Sequence, residues 1–302
     1  MFSNASNFVQ GVDTSFAIIL GASLFFLVGI TGVMVYFVVR YNKNKHPEAQ
    51  DVHENKKLEI TWTVIPTILV LVMFYFGWTG YEPMRKIPEE GIKVKAHAQM
   101  WSWQFEYENG KYSDTLVVPK DEAVILDLIS RDVVHSLYIP AFRIKEDVVP
   151  GVNNKMWFIG QELGKYNIFC AEFCGDLHSK MLSSVHVIAP EEYNVWYNDT
   201  TQPAIHPGLA VLKKNACVSC HSLDGTRIVG PSFKGIWGHE VEVITNGEER
   251  TVMVDEDYVK RSIYDPNADV VKGFNPGLMI PYQNLVTEEE VNEIIDYLKT
   301  LK

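Results

Sequence analysis

The chain predicts a multidomain membrane protein: a two-helix transmembrane hairpin, an all-β domain and an all-α domain, in that order. Three observations carry this reading. Two long uncharged runs lie near the N-terminus, at 14–39 and 60–81. Short apolar or alternating segments then recur between 93 and 188, separated by turn residues. Helical patterning dominates after 207, around and beyond a second pair of cysteines. At 302 residues the chain has room for about two globular domains.

The first uncharged run covers roughly 25 positions, enough to cross a bilayer as a helix. Helices are predicted at about 14–40 and 60–81, with Pro66 in the first turns of the second, where a helix tolerates it. The first run is not a secretory signal peptide. It lacks a basic leading region and a small-residue cleavage pattern, and it is too long for the apolar part of one. Arg40, Lys43, Lys45, Lys56 and Lys57 crowd the short loop between the runs, whereas only Asp13 is charged before Thr14. An excess of Lys and Arg marks a cytoplasmic loop, so everything after Tyr81 is expected outside the cytoplasm.

Segments 93–97, 123–129, 133–139, 156–159, 165–169 and 184–188 predict strands. Several short strands over this length predict an antiparallel sandwich or barrel. In such a fold the stretch 170–181 forms an end loop between the last two strands, and His135 reaches the same end from a neighbour.

That loop holds Cys170, Cys174, His178 and Met181 within twelve residues. Soft sulfur and imidazole select copper or zinc over metals that prefer oxygen. A mononuclear blue-copper site uses one Cys, two His and a weak axial Met, so the second thiol suggests two coppers bridged by both sulfurs. A closed zinc site from Cys170, Cys174, His178 and His135 is the second reading. A Cys170–Cys174 disulfide is the third, in an oxidising compartment.

Cys217-Val-Ser-Cys220-His221 is a C-x-x-C-H pattern, which marks covalent attachment of a c-type haem with the His on iron. A thioredoxin-like pair is the alternative, but it needs a βαβ context and no adjacent His. The flanks suit haem: a short helix at 208–214 leads in and Gly230-Pro231 follows. Met279, in a Gly/Pro loop, offers the opposite ligand, as in cytochromes c. Met253 competes for that role from a strand-like stretch at 251–255. Residues 189–207 predict a linker, with breakers at 198–203 and Pro207. Thr287 and Glu290 form a capping-box pattern before Val291, Ile294, Ile295 and Leu298 on one helix face. His46, His53, His97, His186, His206 and His239 receive no role.

The paired runs, the strand pattern, C-x-E-x-C-x-x-x-H-x-x-M at 170–181 and C-x-x-C-H at 217–221, in this order, resemble subunit II of cytochrome c oxidase. More narrowly, they resemble the bacterial caa-type form, which has a cytochrome c domain fused at its C-terminal end. The resemblance covers nearly the whole chain. It implies an N-terminal segment and hairpin at 1–88, a cupredoxin-like domain at 89–190, a linker at 191–206 and a class I cytochrome c domain at 207–302.

The resemblance also implies a binuclear copper A centre, in which Cys170 and Cys174 bridge the metals and His135 and His178 bind one copper each. Met181 is then a weak ligand of one copper and the Glu172 backbone carbonyl a ligand of the other. The Glu172 carboxylate matches a residue at a magnesium site shared with subunit I. Cys217, Cys220, His221 and Met279 would hold haem c. Trp101, in the aromatic stretch 99–107, resembles a tryptophan that passes electrons toward copper. Gln99 and Met100 stand where relatives often carry His and Gln. Glu59 matches an acid near the mouth of a proton pathway into subunit I.

By this resemblance electrons enter a haem–copper terminal oxidase through the chain, from a donor to haem c, copper A and subunit I. There oxygen is reduced to water with proton translocation. The implied partners are subunit I and other oxidase subunits, a cytochrome c or other respiratory donor, and membrane lipid, with no nucleic acid. The implied place is a bacterial inner membrane, with both metal-bearing domains on the periplasmic side. A tethered electron shuttle and a nitrous or nitric oxide reductase component share part of the pattern. The hairpin before the sheet and the cytochrome after it favour the oxidase. Quinol-oxidising relatives lack the copper cysteines. The net charge of −11 fits either plain solubility or an acidic docking face.

Overall fold

A computed structural model describes residues 4–48, 54–199 and 206–302. His53 and the breakers at 200–203 lie outside the described residues. Helices α1 (Val9–Arg40) and α2 (Lys56–Arg85) both outrun their apolar stretches. Polar ends remain helical where they are capped: the Asn55 side chain accepts from the Leu58 N–H at 3.2 Å. At ~1.5 Å per residue each helix reaches roughly 45 Å, longer than a hydrocarbon core of ~30 Å. Among the described residues nothing buries their apolar centres, which leaves them to a bilayer. Because α2 starts at Lys56, Pro66 lies well inside it rather than in its first turns. The Trp62 carbonyl thereby loses its helical donor. The two helices meet closely where Gly11 faces Gly80, since a Cβ on Gly11 would come within 3.3 Å of the Gly80 Cα.

Ten strands follow: β1 (Ile92–Gln99), β2 (Ser102–Tyr107), β3 (Tyr112–Ser113), β4 (Leu116–Pro119), β5 (Ala123–Ser130), β6 (His135–Ile139), β7 (Ile144–Val148), β8 (Asn154–Ile159), β9 (Gly164–Cys170) and β10 (Leu182–Ile188). They form two five-stranded sheets, ordered β3-β2-β1-β5-β8 and β4-β10-β9-β6-β7. Alternation sets the faces: Val94, Ala96 and Ala98 point into the core while Lys93 and Lys95 stay outside. Phe105, Leu126, Leu137, Ile139, Phe158 and Ile168 fill the space between the sheets.

The sandwich differs from the expected antiparallel one. β1 pairs parallel with β5, and β10 parallel with β4, because the chain changes sheet between those partners. The strand expected at 133–139 starts at His135, and Val133 and Val134 belong to a turn. Strands β2, β3, β4 and β7 were not expected. In β7 the buried Ile144 and Val148 alternate with Lys145 and Asp147, so charges mask the pattern. The stretch expected as linker begins with a helix, α3 (Pro190–Asn198). Its Trp196 packs on Tyr107 with ring centroids 4.9 Å apart, an apolar contact that a free linker lacks.

The hairpin is fastened to the sandwich. Ala5 and Phe8 are buried in the sandwich core. Trp157 Nε1 donates to the Pro83 carbonyl at 3.2 Å, and Arg85 pairs with Glu146 at 2.7 Å. The C-terminal region packs α4 (Pro207–Lys214), α5 (Glu256–Tyr264) and α6 (Glu288–Thr300) around Val211, Leu212, Val259, Ile294, Ile295 and Leu298. The α6 capping box is present as expected. At the α4–α6 crossing a Cβ on Gly208 would fall 2.0 Å from the Glu293 carbonyl oxygen, so only glycine fits there. A three-stranded sheet interrupts these helices: β11 (Glu240–Thr245), β12 (Glu248–Met253) and β13 (Val270–Val271). Its buried Asp269 carboxylate pairs with Arg250 at 2.7 Å and also with Arg261.

Candidate metal and haem centres

The end of β9 and the loop after it carry Cys170 and Cys174, and β6 carries His135. Pairing of Leu137 with Cys170 across β6 and β9 sets His135 beside the thiol. Cys170 Sγ lies 3.7 Å from Cys174 Sγ, 3.9 Å from His135 Nδ1 and 3.2 Å from the Glu172 carbonyl. Cys174 Sγ lies 3.5 Å from His178 Nδ1 and 3.8 Å from Met181 Sδ. All six donors named from the sequence converge there.

This donor set has two thiols, each with its own imidazole, and a thioether and a carbonyl at the margins. Six soft or neutral donors exceed a closed four-ligand zinc site and suit two coppers sharing both sulfurs. The cysteines are free, and their 3.7 Å separation is far beyond the ~2.05 Å of a disulfide. Burial opposes ionisation of Cys170, but its contacts with His135 and with the backbone of Ser136 and Glu172 outweigh burial and bring its pKa down. Burial and the neighbouring Cys170 charge push Cys174 up. Burial also works against the His135 cation, yet hydrogen bonds to Asp132 and Cys170 lift its pKa to about 8.

Trp101, 7% exposed, donates from Nε1 to the Cys174 carbonyl at 3.1 Å. Its ring crosses Gly175 (φ +114°), where a Cβ would meet Trp101 at 3.0 Å. The aromatic residue therefore braces the loop that carries the sulfurs. The Glu172 carboxylate is exposed and belongs to no metal-binding cluster among the described residues. Glu59 is exposed in the first turn of α2.

In the C-terminal region a 3-10 turn, Cys217–Ser219, presents the second cysteine pair. Burial pushes the Cys217 thiol up to about 12. Burial, helped by the Asp132 charge, pushes Cys220 up to about 11. His221 Nδ1 donates its N–H to the Pro231 carbonyl at 2.7 Å, which leaves the lone pair on Nε2. Burial lowers the His221 pKa and keeps the ring neutral. The ring stacks on Phe233 at 4.6 Å, and a Cβ on Gly230 would strike it at 2.5 Å. These residues fit an axial haem ligand and its thioether partners. Met279 is half-buried against the C-terminal core, whereas Met253 lies 46% exposed on β12.

Sequence reasoning missed Asp132. Its carboxylate, 3% exposed, is 2.7 Å from His135 Nε2. No motif marks an acid three residues before a histidine, and only the fold buries it.

The fold and the two centres define a membrane-anchored electron carrier with a cupredoxin-like domain and a helical cytochrome c region. Three family models match in order: the transmembrane domain of cytochrome c oxidase subunit II over residues 1–77, its periplasmic domain over 111–188, and cytochrome c over 205–302. Cytochrome c oxidase subunit 2 of Alkalihalophilus pseudofirmus is 30% identical, covering 94% of this chain and 86% of the relative. The subunits 2 of Bacillus subtilis and of Bacillus sp. strain PS3 are each 28% identical, over 89% and 86% of this chain and 82% and 78% of their own lengths. The solved periplasmic domain of subunit II of cytochrome oxidase from Bradyrhizobium japonicum is 27% identical over 37% of this chain and 94% of that one, with a TM-score of 0.35. The chain belongs to the cytochrome c oxidase subunit II family, in the form that carries a cytochrome c domain. Electrons enter a haem–copper oxidase through it.

Proposed function

We propose that this subunit accepts electrons from an external respiratory donor, such as a cytochrome c, at its C-terminal domain. It passes them by way of the 170–181 loop to subunit I of an oxidoreductase that reduces oxygen to water and translocates protons. In this reading Cys217 and Cys220 hold haem c by thioethers, with His221 and Met279 on iron. Cys170, Cys174, His135, His178, Met181 and the Glu172 carbonyl hold the two coppers of copper A. These groups supply one-electron redox chemistry when bound.

The protein's own residues do the positioning. Pro231 and Phe233 orient the His221 ring, and Trp101 braces Cys174. The observation that carries the proposal is a short bridge between the two centres. Cys220 Sγ lies 3.7 Å from the Met100 carbonyl, and the next residue, Trp101, bonds the Cys174 carbonyl. Adjacent residues thus touch both cysteine loops.

The proposed divisions are 1–88, 89–190, 191–206 and 207–302. The proposed place is a bacterial inner membrane. Five Lys and Arg, at the end of α1, in the loop after it and at the start of α2, hold that loop in the cytoplasm and the remaining domains in the periplasm. Lipid covers the apolar helix faces that neighbouring subunits leave free. A magnesium ion shared with subunit I at the exposed Glu172 carboxylate, and a proton-pathway role for Glu59, belong to the same reading. Stopped-flow reduction of the intact oxidase by its donor tests the electron order. The haem c band should change before the copper band; copper reduced first would overturn the order and make Trp101 the port.

A further inference from the structure

Asp132 belongs to none of the motifs, yet four contacts converge on its side chain and its neighbours. One oxygen, Oδ1, is 2.7 Å from His135 Nε2 and accepts the Val133 N–H at 2.7 Å. The other, Oδ2, accepts the Met100 N–H at 2.7 Å. Its own N–H reaches the Ser130 hydroxyl at 3.3 Å. The carboxylate is 3% exposed, and His135 is its one ion-pair partner among the described residues. A buried carboxylate with one imidazole for company is costly unless each oxygen is satisfied, and here each is.

Met100 has a second attachment, through the peptide group that follows it. Its carbonyl faces Cys220 Sγ at 3.7 Å. Cys220, Val229 and Leu278 of the C-terminal region pack against the sandwich core. Gln99 Nε2 donates to the Tyr282 hydroxyl, and Gln104 Nε2 to the Lys213 carbonyl at 2.8 Å. The haem-attachment loop is thus seated on the residue whose N–H Asp132 holds. The Asp132 charge is felt on both sides, since it adds to burial in raising the Cys174 and Cys220 thiols.

We propose that Asp132 is a positioning residue that orients His135 for copper and ties to it the Met100 backbone, on whose carbonyl Cys220 rests. The copper-binding and haem-bearing loops then form one hydrogen-bonded unit. This rests on the reading of His135 as a copper ligand. With Nδ1 turned to Cys170, the outer nitrogen Nε2 carries the proton and donates to Oδ1. A carboxylate serves both donors at once. An amide offers one acceptor oxygen and turns its NH2 against the other donor.

The test uses the full-length, haem-loaded subunit within its oxidase. Asp132→Asn should lower copper affinity, read by competition with a chelator, by about 10–100-fold, the usual cost of losing a ligand's outer partner. It should shift the electron spin resonance of the copper pair and speed hydrogen exchange at the Met100 amide. Asp132→Glu, which keeps both acceptors, should recover part of the affinity. Native copper affinity and resonance in Asp132→Asn would overturn the proposal. A purely structural role would make Asp132→Asn and Asp132→Glu equally defective, and that result would also overturn it. His135→Ala separates the two readings. If it loses copper while Asp132→Asn is native, only the positioning role fails. If it keeps both coppers with a native signal, the ligand reading fails and this proposal with it.

Discussion

The two cysteine pairs of this chain are chemically alike and end in opposite states. Cys170 and Cys174 are four residues apart, with sulfurs 3.7 Å from each other and an imidazole at each. The sulfurs of Cys217 and Cys220 point apart, one toward the Asn215 carbonyl and the other toward Met100. Within the first pair, His135 and backbone contacts overcome burial and favour a thiolate at Cys170, while burial and the Cys170 charge push Cys174 up. Around the second, burial dominates and keeps both thiols protonated. Cys170 is thereby poised as the thiolate that a metal needs, beside a second sulfur and two imidazoles. The environment of the second pair suits sulfurs that end as neutral thioethers. Cysteine spacing alone does not separate the two fates; the neighbouring polar groups do.

The largest way to break this comparison is Cys170→Ser. Each thiolate is read as bridging both metals, so one loss should take the centre from two coppers to none while the covalent haem stays. Metal analysis and electron spin resonance check it, and a delocalised copper pair surviving in the variant would sink the bridging assignment. Haem lost along with copper would show that the two pairs do not act separately.

A second test compares thiol reactivity in the copper-free, haem-loaded subunit. Alkylation needs the thiolate, and an ordinary thiol ionises near pH ~8.5. Because the Cys170 pKa is lowered, its thiolate fraction rises at lower pH, and its alkylation should be half-maximal well below that value. Cys174, whose pKa is raised, should react only at higher pH. Mass-spectrometric mapping against pH distinguishes them. Equal profiles for the two residues would remove the asymmetry drawn here.

The smallest effect is expected for Met181→Leu. A thioether at the margin of the site tunes the metal more than it holds it. Copper should stay bound with a shifted visible spectrum, and affinity should fall by less than roughly tenfold, below the cost of losing a ligand's outer partner. Complete loss of copper would mean that Met181 carries the loop or the metal outright.

Much of this architecture was legible in the residues. The uncharged runs gave the helices, though both run beyond the apolar limits, α2 from an Asn55 cap and α1 from Phe8, which is anchored in the sandwich core. The alternating segments gave six of the ten sandwich strands. β7 escaped because charges interrupt it, and β2 because Trp103, Gln104 and Phe105 are all buried, so no alternation marks it. Of the inserted sheet, the strand-like stretch at 251–255 marked the end of β12; β11 escaped because acidic residues interrupt it, and β13 because it is two residues long. Asp269 with its two arginines holds β13 to α5, and no local pattern announces that contact.

By itself the sequence determined the identity of the donors: which cysteines, histidines and methionines exist, and which lie close enough along the chain to share a loop. It also determined where apolar length suffices to cross a bilayer, because both properties are local and survive in an extended chain. Only the tertiary structure decided which distant groups meet. Pairing of β6 with β9 brings His135 to a loop 35 residues downstream. Docking of the C-terminal region sets Cys220 on Met100, 120 residues away. The burial that turned Asp132 into a partner of His135 also came from that assembly. Sequence patterns record short-range chemistry, while contacts across the chain depend on strand register and packing, which no single segment contains.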